Sequence, residues 1–368
     1  MKSVLVVGAG RVGRTIVHML SAEGSYAIRV ADAEPMAAKR VAGEVERVEA
    51  FAEGVGSRAA LLRAIKGSAA VVSAAPFAAN PQIAEAASAA RVAYLDLTED
   101  VQVTQFVKEV AEKAECAFIP QCGVAPGFVT LAGIHIIEQF DEVDTLTLRV
   151  GALPEQPNNR LKYNLTWSTE GLVNEYLHPC EALRDSRLTL VPPLKETEEV
   201  VIDGVTYEAF TTSGGVGTLC HTYEGRIRHL DYKTIRYPGH LELIRFLMDD
   251  LGFKDHPEEL VAIFQRSIPA TLDDFVIVSV RGLGTSQGRY LEKTYWRRVP
   301  GRYLGKHFFT GIEISTSAGV CGVLHLLLAG SLPQKGLVKL EQVSYDRFME
   351  TPFGRYYARV GQAGRHGE

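Results

Sequence analysis

Residues 4–13 read Val-Leu-Val-Val-Gly-Ala-Gly-Arg-Val-Gly, a buried-strand pattern that runs straight into glycines at G-x-G-x-x-G spacing. An apolar helical pattern (Ile16, Val17, Leu20) follows at once. Each glycine has its own physical task. Gly8 permits a tight strand-to-helix turn, Gly10 lets a pyrophosphate approach the backbone, and Gly13 lets helix and strand pack closely. The amides opening that helix, at Arg11, Val12 and Gly13, then face phosphate oxygens, helped by the positive end of the helix dipole. A second apolar segment, Tyr26 to Ala31, ends in Asp32, 19 residues after Gly13. A carboxylate there accepts hydrogen bonds from ribose hydroxyls and repels a 2′-phosphate, and Glu34 follows closely. The segment therefore predicts a βαβ dinucleotide unit that takes NAD rather than NADP. The alternative is a glycine turn kept for packing alone.

At 368 residues the chain is long for one core, so two domains are expected. Hydrophobic content of 46% and charged content of 23% are ordinary for a globular protein. A formal net charge of −5 with no dense Lys/Arg run argues against nucleic acid as a partner. The five cysteines (Cys116, Cys122, Cys180, Cys220, Cys321) share no C-x-x-C spacing, which fits a reducing compartment and no structural zinc. The first apolar stretch carries Arg11 and Arg14 and is not read as a signal peptide. The run Gly319 to Gly330 includes His325 and is too short for a bilayer. A cytoplasmic protein without a membrane partner is the expectation. No H-E-x-x-H or similar grouping occurs among the ten histidines, so no metal is expected.

The fold class expected is α/β: a Rossmann-type parallel-sheet domain plus an α+β domain with a largely antiparallel sheet. Strand and helix patterns alternate to about Phe128, with strands at 51–55, 69–76, 93–98 and 117–120. Ligands of such sheets lie across the carboxyl ends of the strands. The tails Ser73–Phe77, Asp96–Glu99 and Gln121–Gly127 should therefore rim one crevice, with Ala74, Ala75, Pro76 and Gly127 beside the cofactor. Longer strands follow at 144–153, 200–210, 274–283 and 290–298, with helices at 241–251 and 257–265 between them. A long apolar helix at 311–328 should return to the first domain. The expected division is 1–130 with 311–345 for the dinucleotide domain and 131–310 for a substrate-binding and dimerisation domain. Residues 346–368 form a tail, poorly ordered beyond Pro352.

Several residues look chemical. Arg236, in Thr234-Ile-Arg-Tyr-Pro-Gly239, reads as a guanidinium at a loop-to-helix junction, suited to bidentate capture of an amino-acid carboxylate and presented with Tyr237 by the Pro-Gly pair. The alternative is a surface ion pair. Asp96, at a strand end, suits holding a substrate ammonium or accepting its proton; the alternative is a cap or turn residue. Cys122 is read as a small buried apolar residue. The run Thr212–Thr218 reads as a turn, since no clear strand precedes it and no clear helix follows.

Taken together, the chain resembles the saccharopine dehydrogenase-like family of amino-acid oxidoreductases over nearly its whole length. The pieces that carry the resemblance are GAGRVG, Ser73-Ala-Ala-Pro-Phe77, Tyr94-Leu-Asp96, Cys122-Gly-Val-Ala-Pro-Gly127, Gly151-Ala-Leu-Pro154, Trp167-Ser168, Thr234-Ile-Arg-Tyr-Pro-Gly239 and Gly330-Ser-Leu-Pro-Gln-Lys-Gly336. Within the family it is most similar to the lysine 6-dehydrogenase branch, through the glycine run and Lys233–His240. Fungal saccharopine reductases carry Cys before Gly-Gly-Leu-Pro; here Val150 precedes Gly-Ala-Leu-Pro, which weakens saccharopine as substrate. The resemblance implies a substrate pocket containing Phe77, Asp96, Trp167 and Arg236. It implies oxidation at the ε-carbon of L-lysine by NAD, with release of ammonia, and a homodimer is expected. The alternative is reductive condensation of an amine with a carbonyl compound, forming saccharopine or a carboxylated polyamine. That reaction needs a second carboxylate anchor, for which Arg149, Arg226, Arg228 and Arg281 are candidates.

Overall fold

A computed structural model describes residues 1–358. The chain forms two compact units. The first comprises Met1–Phe128, Tyr303–Phe309 and the chain from Glu313 onward; the second comprises Val129–Arg302 and Thr310–Ile312.

The first unit is built on β1 (Lys2–Val7), β2 (Tyr26–Ala31), β3 (Val48–Ala50), β4 (Ala70–Ser73), β5 (Ala93–Leu95) and β6 (Ala117–Ile119). With a late strand at Gly336–Leu337 they form one parallel sheet, ordered late strand-β6-β5-β4-β1-β2-β3. Val4 to Val7 and Ala70 to Ser73 are wholly buried, as expected of strands covered on both faces. The order reverses between β4 and β1, so the carboxyl ends of those strands flank a topological switch point. Helix α1 (Arg11–Glu23) follows β1 and ends in Gly24 in the left-handed region.

Three expectations shift here. The strand expected at 51–55 lies at 48–50, and Phe51 and Val55 instead bond the carbonyls of Val30 and Asp32. The strand at 93 stops at Leu95, because the Asp96 carboxylate takes up the next amides. Residues just beyond Pro352 are packed rather than loose. Phe353 and Tyr357 are buried, Tyr357 stacks on Phe128 at 3.5 Å between ring centres, and its hydroxyl donates to the Ser315 carbonyl at 2.5 Å. The rest of the expected tail, 359–368, lies outside the described residues. The helix Gly311–Leu328 meets the length and hydropathy of a membrane span, and 89% of that window is buried within the protein.

The second unit carries β7 (Glu142–Pro154), β8 (Cys180–Arg184), β9 (Arg187–Val191), β10 (Glu198–Ile202), β11 (Val205–Thr211), β12 (His229–Arg236), β13 (Asp274–Ser286) and β14 (Arg289–Pro300). Their order is β10-β11-β12-β7-β13-β14, with the β8–β9 hairpin joined to β12. The sheet is antiparallel except for the β7–β12 pair, which is parallel. The expected strand at 200–210 is a hairpin. Asp203 and Gly204 both take positive φ, the backbone of a two-residue turn whose twist matches its strands. One core of this unit gathers Tyr163, Tyr176, Phe210, Ile244 and Phe264; another packs Leu153, Tyr207, Ile235 and Phe275.

Candidate active site

The glycine turn closes as its spacing demands. Gly8 has φ +104°, and a Cβ there would lie 2.6 Å from the Ala74 carbonyl oxygen; on Gly13 it would lie 1.8 Å from that of Gly8. Both glycines are thus required by the protein's own packing, and Ala74 and Ala75 lie against the turn. Gly10 is different. A Cβ there meets nothing within 4 Å, and the backbone (φ −73°, ψ −168°) is open to any residue. Nothing in the chain asks for glycine at position 10, whereas a phosphate approaching the first amides of α1 does. Asp32 is clasped against the turn, its Oδ2 accepting the Ala9 amide at 2.6 Å and its Oδ1 that of Glu34 at 2.9 Å. Each oxygen retains acceptor capacity for a ribose hydroxyl. These residues fit a nicotinamide dinucleotide. The Arg11 Nε–H donates to Glu313 at 2.6 Å while its side chain stays partly exposed; the Val12 carbonyl accepts the Ser317 hydroxyl.

Along the sheet, Pro76 is exposed and Phe77 is half-buried at the start of a single 3₁₀ turn. Asp96 requires a correction. It is fully buried, and its oxygens accept the Tyr94 hydroxyl (2.9 Å), the Thr98 amide (3.1 Å) and the Gln121 amide (2.9 Å). A carboxylate so engaged ties the β5 tail to the β6 tail, and at 0% exposure it is sealed from an incoming amine. Burial pushes its carboxyl up to about 6 against the opposing pull of those donors. The cap-like reading of Asp96 is the one its geometry supports. Cys122 is buried, its thiol donating to the Ile119 carbonyl at 3.1 Å and held well above the usual thiol range by burial. Gly127 (φ +141°) is demanded by Gly123, whose carbonyl oxygen a Cβ would meet at 1.9 Å. Glu99, at the end of the same β5 tail, was not singled out from sequence. Burial and the neighbouring carboxylates of Asp100 and Asp96 push it up to about 7.

In the second unit Arg236 is not in a loop: it ends β12 and is 2% exposed. One guanidinium nitrogen donates to the Thr234 hydroxyl (2.7 Å) and the Ile235 carbonyl (2.9 Å), and the group lies over the Tyr163 ring at 5.2 Å. Its Nε–H is buried with no acceptor among the described residues. Trp167 joins this cluster by donating its indole N–H to the Tyr163 hydroxyl at 3.1 Å. Tyr176 donates to His240 Nε2 at 3.1 Å, while His240 Nδ1–H donates to the Leu161 carbonyl at 2.9 Å. Burial and the Arg236 charge lower His240 to about 3, so it stays neutral and keeps that tautomer.

Tyr237 does not accompany Arg236. Successive strand residues point to opposite faces, and Tyr237 packs on Tyr207 while donating to the Pro154 carbonyl at 2.9 Å. Three of the four arginines considered for a second carboxylate are already paired: Arg149 with Glu198, Arg228 with Asp144, and Arg281 with Glu292. Arg226 lies over Tyr223. In the run Thr212–Thr218, Gly215 is fixed by the Tyr232 ring, which a Cβ would meet at 2.2 Å. The nearest approach to metal-ligand spacing in a buried setting, His18–Glu44–His307, already holds a cation. Arg14 bonds Glu44 at 2.5 Å and His307 Nδ1 at 2.8 Å.

Two family profiles together span most of the chain, and the second runs on past the point where the chain returns to the first unit at Glu313. The saccharopine dehydrogenase NADP binding domain matches residues 4–119, and the saccharopine dehydrogenase C-terminal domain matches residues 123–353. The chain belongs to the saccharopine dehydrogenase family. It is 23% identical over 268 residues to a saccharopine dehydrogenase [NADP(+), L-glutamate-forming] of Pyricularia oryzae, covering 70% of this chain and 59% of that one. The Schizosaccharomyces pombe protein of the same name is 25% identical, with 69% and 59% covered. The chain thus spans about three fifths of the length of these relatives. The apo saccharopine dehydrogenase (L-Glu forming) of Saccharomyces cerevisiae shares the fold, with a TM-score of 0.79 over 97% of this chain and 98% of that one at 16% identity.

Proposed function

We propose that this member of the family is an NAD-dependent oxidoreductase that acts on the ε-amino group of L-lysine, giving the 6-semialdehyde and ammonia. The observation that carries the reading is the buried Arg236 guanidinium, whose Nε–H has no acceptor among the described residues. A donor left so is costly to the fold, and an incoming α-carboxylate satisfies it. The Tyr163 face beneath it and the Tyr176–His240 pair beside it hold the guanidinium in place. Family membership supports amine oxidation as the chemistry, and the clasped Asp32 followed by Glu34 supports NAD, although the fungal relatives carry NADP in their names. A bound nicotinamide dinucleotide supplies the hydride acceptor. The protein's own part is to seat it on the α1 amides, to anchor the substrate carboxylate, and to present the amine uncharged, since an ammonium has no lone pair to support hydride departure. The protein is proposed to work in the cytoplasm as a homodimer.

The decisive assay mixes protein, NAD and a panel of amines, following NADH absorbance and ammonia together. Lysine-dependent NADH with equal ammonia is expected. Arg236→Ala should raise KM for lysine about 10- to 150-fold, the equivalent of the roughly 1.5–3 kcal/mol of a charge-assisted hydrogen bond, with NADH affinity intact. Unchanged lysine kinetics in that variant remove Arg236 from the site. The second reading, reductive condensation with a carbonyl partner, is favoured by the names of the relatives. Against it stand the ion pairs that already engage Arg149, Arg228 and Arg281. Turnover only when 2-oxoglutarate or another carbonyl compound is added decides for it.

A further inference from the structure

Three carboxylates crowd the tail of β5, and the fold uses two of them. Asp96 is fully buried and engaged by Tyr94, Thr98 and Gln121, as described above. Asp100 caps the helix Val101–Glu112 by accepting the Val103 amide at 2.8 Å. Glu99 lies between them, half-buried, and among the described residues no group other than its own backbone amide donates to its carboxylate. The adjoining Thr98 hydroxyl is also buried without a partner among those residues. The tail thus keeps one uncommitted carboxylate next to one uncommitted hydroxyl.

Its place in the sheet matters as much. β5 lies between β4 and β6, on the side of the switch point away from β2 and Asp32. A dinucleotide crossing such a switch point sets one mononucleotide over each half of the sheet. With the adenosine half at Asp32, the reactive half falls on the side of β4, β5 and β6. Glu99 lies in the tail that follows the carboxyl end of β5, four residues beyond Leu95.

We propose that Glu99 accepts the proton of the substrate ammonium, so that the amine is neutral when its carbon gives up hydride. The inference rests on the amine-oxidising reading above. The step is one proton transfer: an N–H bond of the ammonium breaks, an O–H bond forms on Glu99, and the electron pair stays on nitrogen. The charged groups acting on Glu99 are Asp100 and Asp96. From β5 and the β6 loop, Tyr94 and Cys122 lie against Asp96 and are held protonated by burial. An ordinary glutamate falls about six powers of ten short of a lysine ammonium in proton affinity; near 7 the deficit narrows to about three. Desolvation of the ammonium covers the remainder.

The test compares wild type with Glu99→Gln by three readouts: NADH affinity from fluorescence, the pH profile of lysine oxidation, and the calorimetric Kd of L-lysine for the NADH-bound protein across pH. We expect unchanged NADH affinity and a kcat lower by about 10²- to 10⁴-fold. The wild-type acid limb near pH 7 should vanish, and with it the weakening of lysine binding below that pH. Glu99→Asp keeps the charge and should restore part of the rate with a shifted limb; it carries the test if the glutamine variant folds poorly. Wild-type kcat and an unmoved limb in both variants overturn the assignment and leave amine oxidation standing. A wild type that neither binds nor oxidises any amine overturns both.

Discussion

A Cβ on Gly13 would sit 1.8 Å from the Gly8 carbonyl oxygen, and one on Gly10 would touch nothing within 4 Å. The same motif therefore mixes a glycine held by packing with one held by a ligand, and substitutions separate them. Gly13→Ala should cost about 1–3 kcal/mol of stability. Gly10→Ala should leave the melting temperature near wild type yet weaken NADH binding at least about tenfold, because the methyl group enters the phosphate's path. Fluorescence titration and thermal melting read both; equal destabilisation by the two variants refutes the distinction. On the proposed NAD reading, Asp32→Ser should lower NAD affinity and shift selectivity toward NADP by roughly tenfold or more, by removing a charge that would repel a 2′-phosphate. Asp96 makes a pH prediction. Its carboxyl, near 6 when folded, lies above the unfolded value of about 3.9, so the folded state holds that proton more tightly. The stability this gives is complete below the unfolded value and is lost as pH climbs through about 6. Asp96→Asn keeps an oxygen for the two amides and cannot ionise. It should gain on wild type between pH 4 and 7, on the order of 3 kcal/mol at most, in denaturant titrations at each pH. A constant difference across that window counts against a raised Asp96.

At the scale of elements, β12 sorts neighbouring residues onto opposite faces. Thr234 and Arg236 share one face while Ile235 and Tyr237 share the other, so neighbours in sequence serve different cores. Tyr237→Phe should cost about 1 kcal/mol through its lost bond to Pro154 and leave the KM for lysine alone. A large KM change there would return Tyr237 to the substrate. No strand was expected over this stretch, where Arg236 read as a loop-to-helix residue and where Asp231 and Lys233 interrupt any apolar run. Both are buried, and Arg184 and Glu198 supply the opposite charges that make that possible. The hairpin at 198–211 was half-visible: Asp203-Gly204 marked the turn, but the exposed Val201 and Val205 beside it carry no periodicity that separates two short strands from one long one.

At the scale of the whole molecule, the dinucleotide unit is completed by the end of the chain. The late strand extends its sheet beside β6, and Tyr357 closes on Phe128 and Ser315 within the same unit. Tyr357→Ala should therefore destabilise that unit by about 3–5 kcal/mol despite its nearness to the terminus. A melting temperature within a degree of wild type speaks against this packing.

Local chemistry alone specified the phosphate turn, Asp32 and the alternation of strands and helices, because each depends on residues a few positions apart and on hydrophobic period. It did not specify which polar side chains are left over. Asp96 is consumed by amides from the next strand tail, Arg149 by Glu198 and Tyr237 by Pro154, while Arg236 keeps an N–H and Glu99 a carboxylate without such partners among the described residues. Partners of that kind come from distant stretches of chain, so only the folded arrangement distinguishes a spent group from an available one.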